Sequence, residues 1–187
     1  MTNKIIGVTG RVGVGKTFLV DHLKAKLTNI VVIDLDKVGH KCLLQDDIKQ
    51  QLKMQFGITI FNQAGQVDRS ILGSIVFKDK HKLLCLNKIV HPEIFKQVNY
   101  LISLQTNKVI VIVGALIHEI NLAGCCHEII AVINDSKQRN RLLGSKIDIE
   151  KMQLNDLEYS SVCSQVFYNS FNLKAQDKFT ELINKLI

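Results

Sequence analysis

Tryptophan is absent, and Pro92 is the one proline in 187 residues. No stretch is Gly/Ser-rich or low in complexity, which excludes a linker or a disordered tail. No internal repeat is present, which excludes a solenoid. One compact domain is expected, with at most a small appended subdomain. Long apolar runs are missing too. The longest, Val109 to Ile117, is about half of what a membrane span needs. The segment from Met1 to Gly7 lacks the apolar core and cleavage site of a signal peptide. A cytoplasmic protein with no membrane partner is therefore expected.

Paired cysteines of the C-x-x-C kind are also lacking. The five cysteines are Cys42, Cys85, Cys125, Cys126 and Cys163, and an odd count without an export signal argues for reduced thiols. Cys125-Cys126-His127 could bind metal, or be ordinary buried thiols beside a strand. Basic residues outnumber acidic ones, 24 against 17, for a net charge of +7. This surplus favours anionic partners. The basic residues are dispersed, without an arginine/aromatic pattern or basic tail, so small phosphorylated ligands are expected rather than nucleic acid.

Hydrophobic patterning predicts strands at Lys4 to Thr9, Ile30 to Ile33 (ending at Asp34), Val109 to Val113, Glu128 to Ile133 and Gln165 to Tyr168. Lys16 to Leu27 reads as a helix, with Phe18, Leu19, Leu23 and Leu27 on one stripe. Residues 36 to 105 read as mostly helical. The helical spacing from Asp79 to Leu104 is interrupted at His91-Pro92, and Gly57 and Gly65 mark turns. Gln138 to Leu143 begins a basic helix, and Leu173 to Ile187 is a closing amphipathic one. Alternating strands and helices give an α/β fold with a parallel sheet.

Gly10-Arg11-Val12-Gly13-Val14-Gly15-Lys16-Thr17 meets the pattern G-x-x-x-x-G-K-[ST], directly after a strand and at the start of a helix. Glycines there let backbone N–H groups approach phosphate, and the helix N-terminus adds partial positive charge. Lys16 would reach the β- and γ-phosphates, and the Thr17 hydroxyl would bind Mg²⁺. Contacts to a nucleoside triphosphate, ATP by the resemblance given below, are expected from Gly10, Gly13, Val14, Gly15, Lys16, Thr17 and Phe18. The fold expected is a P-loop NTPase fold, a five-stranded parallel sheet flanked by helices.

Asp36-Lys37-Val38-Gly39 fits a GTPase D-x-x-G only by its letters, and no N-K-x-D occurs. The strand Val109 to Val113 ends in glycine rather than the acidic pair of a motor ATPase. A small metabolite kinase remains. Asp34 and Asp36 end the second strand, expected beside the P-loop strand. A carboxylate there can orient an acceptor hydroxyl and take its proton. Asp36 is the candidate base, and Asp34 a supporting residue. Either could instead cap the following helix.

Over nearly its whole length the chain resembles dephospho-CoA kinase. The resemblance rests on Ile6 to Gly10, the P-loop and Asp34-Leu35-Asp36. It continues in Gly65 to Phe77, similar to G-x-[IVL]-D-R-x-x-L-G-x-x-V-F, and in Leu86 to Glu93, similar to L-N-x-I-[VL]-H-P. Ala115 to Glu119 is similar to P-L-L-F-E, and Gln153 with Val166 to Ser170 to the Q-…-V-I-x-N-S ending. The resemblance implies ATP-dependent phosphorylation of the ribose 3′-hydroxyl of dephospho-CoA, with Asp36 as base. It implies an acceptor site including His40, Arg69 and His91. Arg69 could clamp a pyrophosphate bidentately, or pair with Asp68 or Asp79. His91 could also be a helix-start residue.

The implied organisation is a single kinase unit over 1–187. Its core is about 1–36 and 106–187, with a helical acceptor-binding insertion at about 37–105 and a short lid at about 138–153. Arg141 is the lid residue expected on ATP. Ser145 stands where a further lid arginine is expected, and Lys146 or Lys151 is the candidate replacement. Other departures are Arg11 for a P-loop glycine, Ala115 for proline, and Tyr159 and Ser164 for lysine and aspartate. Two other readings remain: a P-loop kinase for another small metabolite, or a nucleotide-binding relative with little or no phosphotransfer.

Overall fold

The computed structural model describes residues 3–135 and 147–187. The expected basic helix at Gln138 to Leu143, Arg141, Ser145 and Lys146 lie outside the described residues. In chain order the elements are β1 (Lys4–Thr9), α1 (Lys16–Lys26), β2 (Ile30–Asp34), α2 (Leu35–Cys42), α3 (Asp46–Phe56), α4 (Arg69–Val76) and α5 (Lys80–Ser103). They continue with β3 (Val109–Val113), β4 (Glu128–Ile133), α6 (Ile147–Lys151), α7 (Asp156–Val162), β5 (Gln165–Tyr168) and α8 (Leu173–Leu186).

The five strands form one parallel sheet in the order β2-β3-β1-β4-β5. One expectation is corrected here: β2 does not lie beside the P-loop strand. β3 stands between them, pairing Ile6 with Val111 and Val32 with Val111. Burial explains the order. From Ile110 to Val113 every residue of β3 is buried, as befits a strand inside a parallel sheet. In β2 only Ile33 is buried, and the strand ends on a carboxylate, so it takes the edge.

The core is layered on that sheet. Ile6, Val8, Val111, Val113, Ile130 and Val132 pack with Leu19 and Leu23 of α1 and with Phe179 and Ile183 of α8. Each such buried side chain contributes roughly 1.5–3 kcal/mol. Phe167 meets Phe179 edge-on, with ring centroids 5.0 Å apart.

The chain divides into two compact units, one of residues 1–35 with 100–187 and one of residues 36–99. The second unit is helical, with Leu52, Ile60, Leu72, Val76 and Val98 buried. Here a second expectation is corrected. α5 is not interrupted at His91-Pro92 but runs through Pro92. An interior proline costs about 3 kcal/mol. Val90, Ile94 and Val98, buried at four-residue spacing on one face, offset that loss.

Candidate active site

The loop after β1 turns sharply because its glycines hold conformations other residues avoid. Gly10 has φ 135° and Gly15 φ 85°. A side chain on Gly10 would strike the Val132 carbonyl, and one on Gly15 would strike the Asn169 amide and the Phe171 ring. Gly15 is the N-cap of α1. The helix therefore begins where the loop ends, and its first N–H groups must be satisfied from outside the helix.

The loop's carbonyls are held by protein donors. The Lys16 ammonium donates to the carbonyls of Gly10 at 2.6 Å and Arg11 at 2.9 Å. Asn134, just past β4, donates to the Gly13 carbonyl at 3.4 Å. Asn169, just past β5 and fully buried, donates to the Val14 carbonyl at 2.9 Å. Its Oδ1 accepts the Phe171 N–H at 3.0 Å. Phe171 packs on Phe18, with centroids 5.8 Å apart. Carbonyls committed in this way leave the concave side of a loop to its amides, which is the arrangement that wraps an anion. Thr17 is exposed in the first turn of α1. Its hydroxyl is a hard oxygen donor of the kind Mg²⁺ accepts.

Nothing in the sequence marks Asn134, and Gln153 and Asn169 stand there only in the family resemblance, without a role. A polar residue at a strand's carboxyl end is the signal that could have marked Asn134. Replacing Asn169 by alanine removes two hydrogen bonds around a buried group. The expected cost is about 2–3 kcal/mol, which lowers the melting temperature by about 5–10 °C for a chain of this size. Differential scanning calorimetry checks it, and an unchanged melting point contradicts the pinning role.

Two of the family departures meet. The Tyr159 side chain is fully buried, and its hydroxyl donates to the Ala115 carbonyl at 2.9 Å. Thr9 donates to the same carbonyl at 3.3 Å. Burial, and secondarily Glu119, raise the Tyr159 pKa, so the phenol stays a donor. Ser164 trades hydrogen bonds of 3.0 Å with the N–H and carbonyl of Ile129. The His127 imidazole accepts the Ile5 N–H at 3.0 Å, tying that residue to the sheet. Burial pushes the Cys126 thiol up to about 12, and those of Cys42 and Cys163 to about 11.

Asp34 is the last residue of β2, and Asp36 lies exposed in the first turn of α2. A carboxylate in a first helical turn is favoured by the helix dipole. Within residues 36–99, the structure brings together two of the three remaining predicted residues. Arg69 Nη1 lies 2.6–2.7 Å from the ring nitrogens of His40. The carboxylates considered as Arg69 partners are employed elsewhere. Asp68 caps α4 by accepting from Ser70 and Ile71, and Asp79 accepts from the N–H groups of His81 and Lys82. The tight turn before α4 sets this up: Phe61 bridges Val67, and Asn62 Oδ1 accepts the N–H groups of Ala64 and Gln66. His91 is not a helix-start residue, because it lies in the interior of α5, half-buried.

Glu93, two residues on, carries a network the sequence does not announce. Its Oε1 accepts from Gln97 at 2.7 Å and from Gln45 at 3.0 Å, and Lys96 lies 3.7 Å from Oε2. The Gln97 hydrogen bond, then those of Gln45 and Lys96, hold its carboxyl below the ordinary value of 4.5. The stabilisation is therefore complete above pH 4.5 and is lost as pH falls through the lower folded value. Glu93→Gln should be less stable than the parent at pH 7 by no more than about 1 kcal/mol. In urea titrations the gap should close in acid. A gap that persists or widens there contradicts the charge-assisted network.

Comparison with known proteins decides the family. The family model described as dephospho-CoA kinase matches residues 4–166. The chain belongs to the dephospho-CoA kinase family. The dephospho-CoA kinase of Fusobacterium nucleatum is 32% identical, covering 98% of this chain and 100% of that protein. That of Borrelia garinii subsp. bavariensis is 32% identical over 91% of this chain and 82% of that protein. Among solved structures, Thermus thermophilus TT1252 superposes with TM-score 0.80 at 22% identity, covering both chains completely. Dephospho-CoA kinase from Campylobacter jejuni superposes with TM-score 0.64 at 18% identity, over 98% of this chain and 97% of that one. At these identities the superpositions speak for the P-loop kinase fold. No helix among the described residues is long and apolar enough to cross a membrane.

Proposed function

We propose that this dephospho-CoA kinase family member transfers the γ-phosphoryl group of ATP to the ribose 3′-hydroxyl of dephospho-CoA, giving CoA and ADP. The observation that carries the reading is the loop Gly10–Thr17, folded against Asn134 and Asn169 in a chain matched by the family model over residues 4–166. The net charge of +7 suits two polyanionic substrates.

In this reading, Gly10, Gly13, Val14, Gly15, Lys16, Thr17 and Phe18 cradle the ATP phosphates. Lys16 exchanges its loop carbonyls for the β- and γ-phosphates. Arg141 belongs to the same set. Phosphoryl transfer asks the protein mainly for positioning and charge neutralisation, and a backbone cradle with one lysine supplies both. Thr17 would hold Mg²⁺, which offsets phosphate charge when bound. Asp36 orients the acceptor hydroxyl and takes its proton. His40, Arg69 and His91 bind the acceptor, so residues of about 37–105 form the acceptor-binding insertion on a core of about 1–36 and 106–187. The Arg69–His40 contact supports this assignment, since it holds the guanidinium away from the two capping carboxylates. Residues of about 138–153 form a short lid. A cytoplasmic setting, where ATP and reduced thiols prevail, goes with the same reading.

The test is the product. Protein incubated with ATP, Mg²⁺ and dephospho-CoA should yield a species whose new phosphate is at the 3′ position by phosphorus and proton NMR. A phosphate elsewhere on the acceptor contradicts the assignment.

A further inference from the structure

The P-loop has a contact that neither the loop motif nor the family resemblance assigns. Arg11, which stands where a P-loop glycine is usual, turns its side chain onto α6. Its Nη2 lies 3.1 Å from Glu150 Oε1, and it donates to the Glu150 carbonyl at 3.4 Å. Both side chains are largely buried, at 17% and 13% exposure. The carbonyl end of α6 is the negative end of its dipole, so the guanidinium meets a carboxylate and a helix terminus together. The next loop residue is held from the same place. The Val12 N–H donates to Gln153 Oε1 at 2.7 Å, and the Gln153 N–H in turn donates to the Glu150 carbonyl at 3.2 Å.

Two consecutive loop residues are thus clasped by residues 150–153. The clasp bears on the lysine of the motif. The Arg11 carbonyl accepts both the Lys16 ammonium at 2.9 Å and the Val14 N–H at 3.5 Å. Any displacement of Arg11 therefore moves a partner of Lys16. It also shifts the amides from Val12 to Gly15. A free glycine at position 11 would carry no such tie.

We propose that Arg11 is a positioning residue for nucleotide binding, acting through its ion pair with Glu150 to hold the P-loop in the shape that receives phosphate. Arg11 does not touch the nucleotide in this scheme. Its side chain is committed to Glu150, and its effect passes through the loop backbone. The proposal rests on the reading of Gly10–Thr17 as an ATP site.

The experiment measures Mg·ATP affinity by titration calorimetry, without any acceptor, for the parent chain, Arg11→Gln, Glu150→Gln, the double variant and the reversed pair Arg11→Glu with Glu150→Arg. Melting temperatures are recorded for each. Because half of a buried pair left alone is costly and contacting residues couple, each single change should weaken ATP binding by about tenfold. The double variant should be within about twofold of either single one, and the reversed pair should recover most of the loss. Steady-state turnover should show the change in KM for ATP, with KM for the acceptor unmoved. Parent-like affinity in both single variants, losses that multiply in the double, or lower melting temperatures without any change in affinity overturn the proposal. A parent chain that binds no ATP removes the nucleotide reading, and the inference with it. Parent binding with unaffected variants removes the inference alone.

Discussion

Lys16→Ala is expected to lower kcat by roughly a thousandfold, about 4 kcal/mol of transition-state stabilisation. The size follows from what phosphoryl transfer needs. Charge spreads over the phosphoryl oxygens, and preorganised positive charge aimed at them is most of the catalysis. Lys16 is the loop's cation for the phosphates, since the Arg11 guanidinium is committed to Glu150. The Lys16 ammonium sits on the Gly10 and Arg11 carbonyls, which it exchanges for the proposed phosphates in this account. The loop is also pinned by Asn134 and Asn169, so the variant should keep its fold. Single-turnover kinetics check the prediction, with the melting temperature as control. Turnover within about tenfold of the parent would remove Lys16 from the proposed role.

Asp36→Asn is expected to lower kcat by about 10²–10⁴-fold, the range of a lost general base, while ATP affinity stays near that of the parent. Asn keeps the shape of the side chain but cannot take a proton. Asp36 is exposed in the first turn of α2, so the substitution buries no new group and stability should change little. The contrast with Lys16 is diagnostic. Loss of the lysine should hurt both nucleotide binding and the chemical step, whereas loss of the carboxylate should hurt the chemical step alone. An Asp36→Asn enzyme with unimpaired turnover would mean that another group accepts the proton.

The loop and its two flanking elements were legible in the sequence because their information is local. Spacing of glycines, a lysine and a hydroxyl residue at the junction of a strand and a helix needs no distant contact to be read. The strand positions were legible for the same reason, since β1, β3 and β4 are continuous apolar runs. What pins the loop was not legible. Asn134, Gln153 and Asn169 meet it across 121, 141 and 155 residues of sequence, and nothing in periodicity links such positions. The sequence shows Arg11 in place of a glycine but not its partner Glu150, which lies 139 residues away. The place of β2 is not legible because strand order depends on relative burial: β3, buried from Ile110 to Val113, claims the inner position and β2 the edge. At Pro92 the sequence shows proline's local penalty but not the compensating burial of Val90, Ile94 and Val98, so the helix's continuity there is not legible. In the helical unit, the pairing of Arg69 with His40 rather than with Asp68 or Asp79 depends on both carboxylates being taken up as helix caps.

The central claim is that Gly10–Thr17 serves a kinase whose acceptor is dephospho-CoA. A coupled ADP-release assay tests it most directly, run with dephospho-CoA, with shikimate, with a nucleoside monophosphate and with no acceptor. The account predicts saturable, Mg²⁺-dependent ADP release with dephospho-CoA and only background with the rest. ATP binding without dephospho-CoA-dependent ADP release, or faster release with another acceptor, would contradict it.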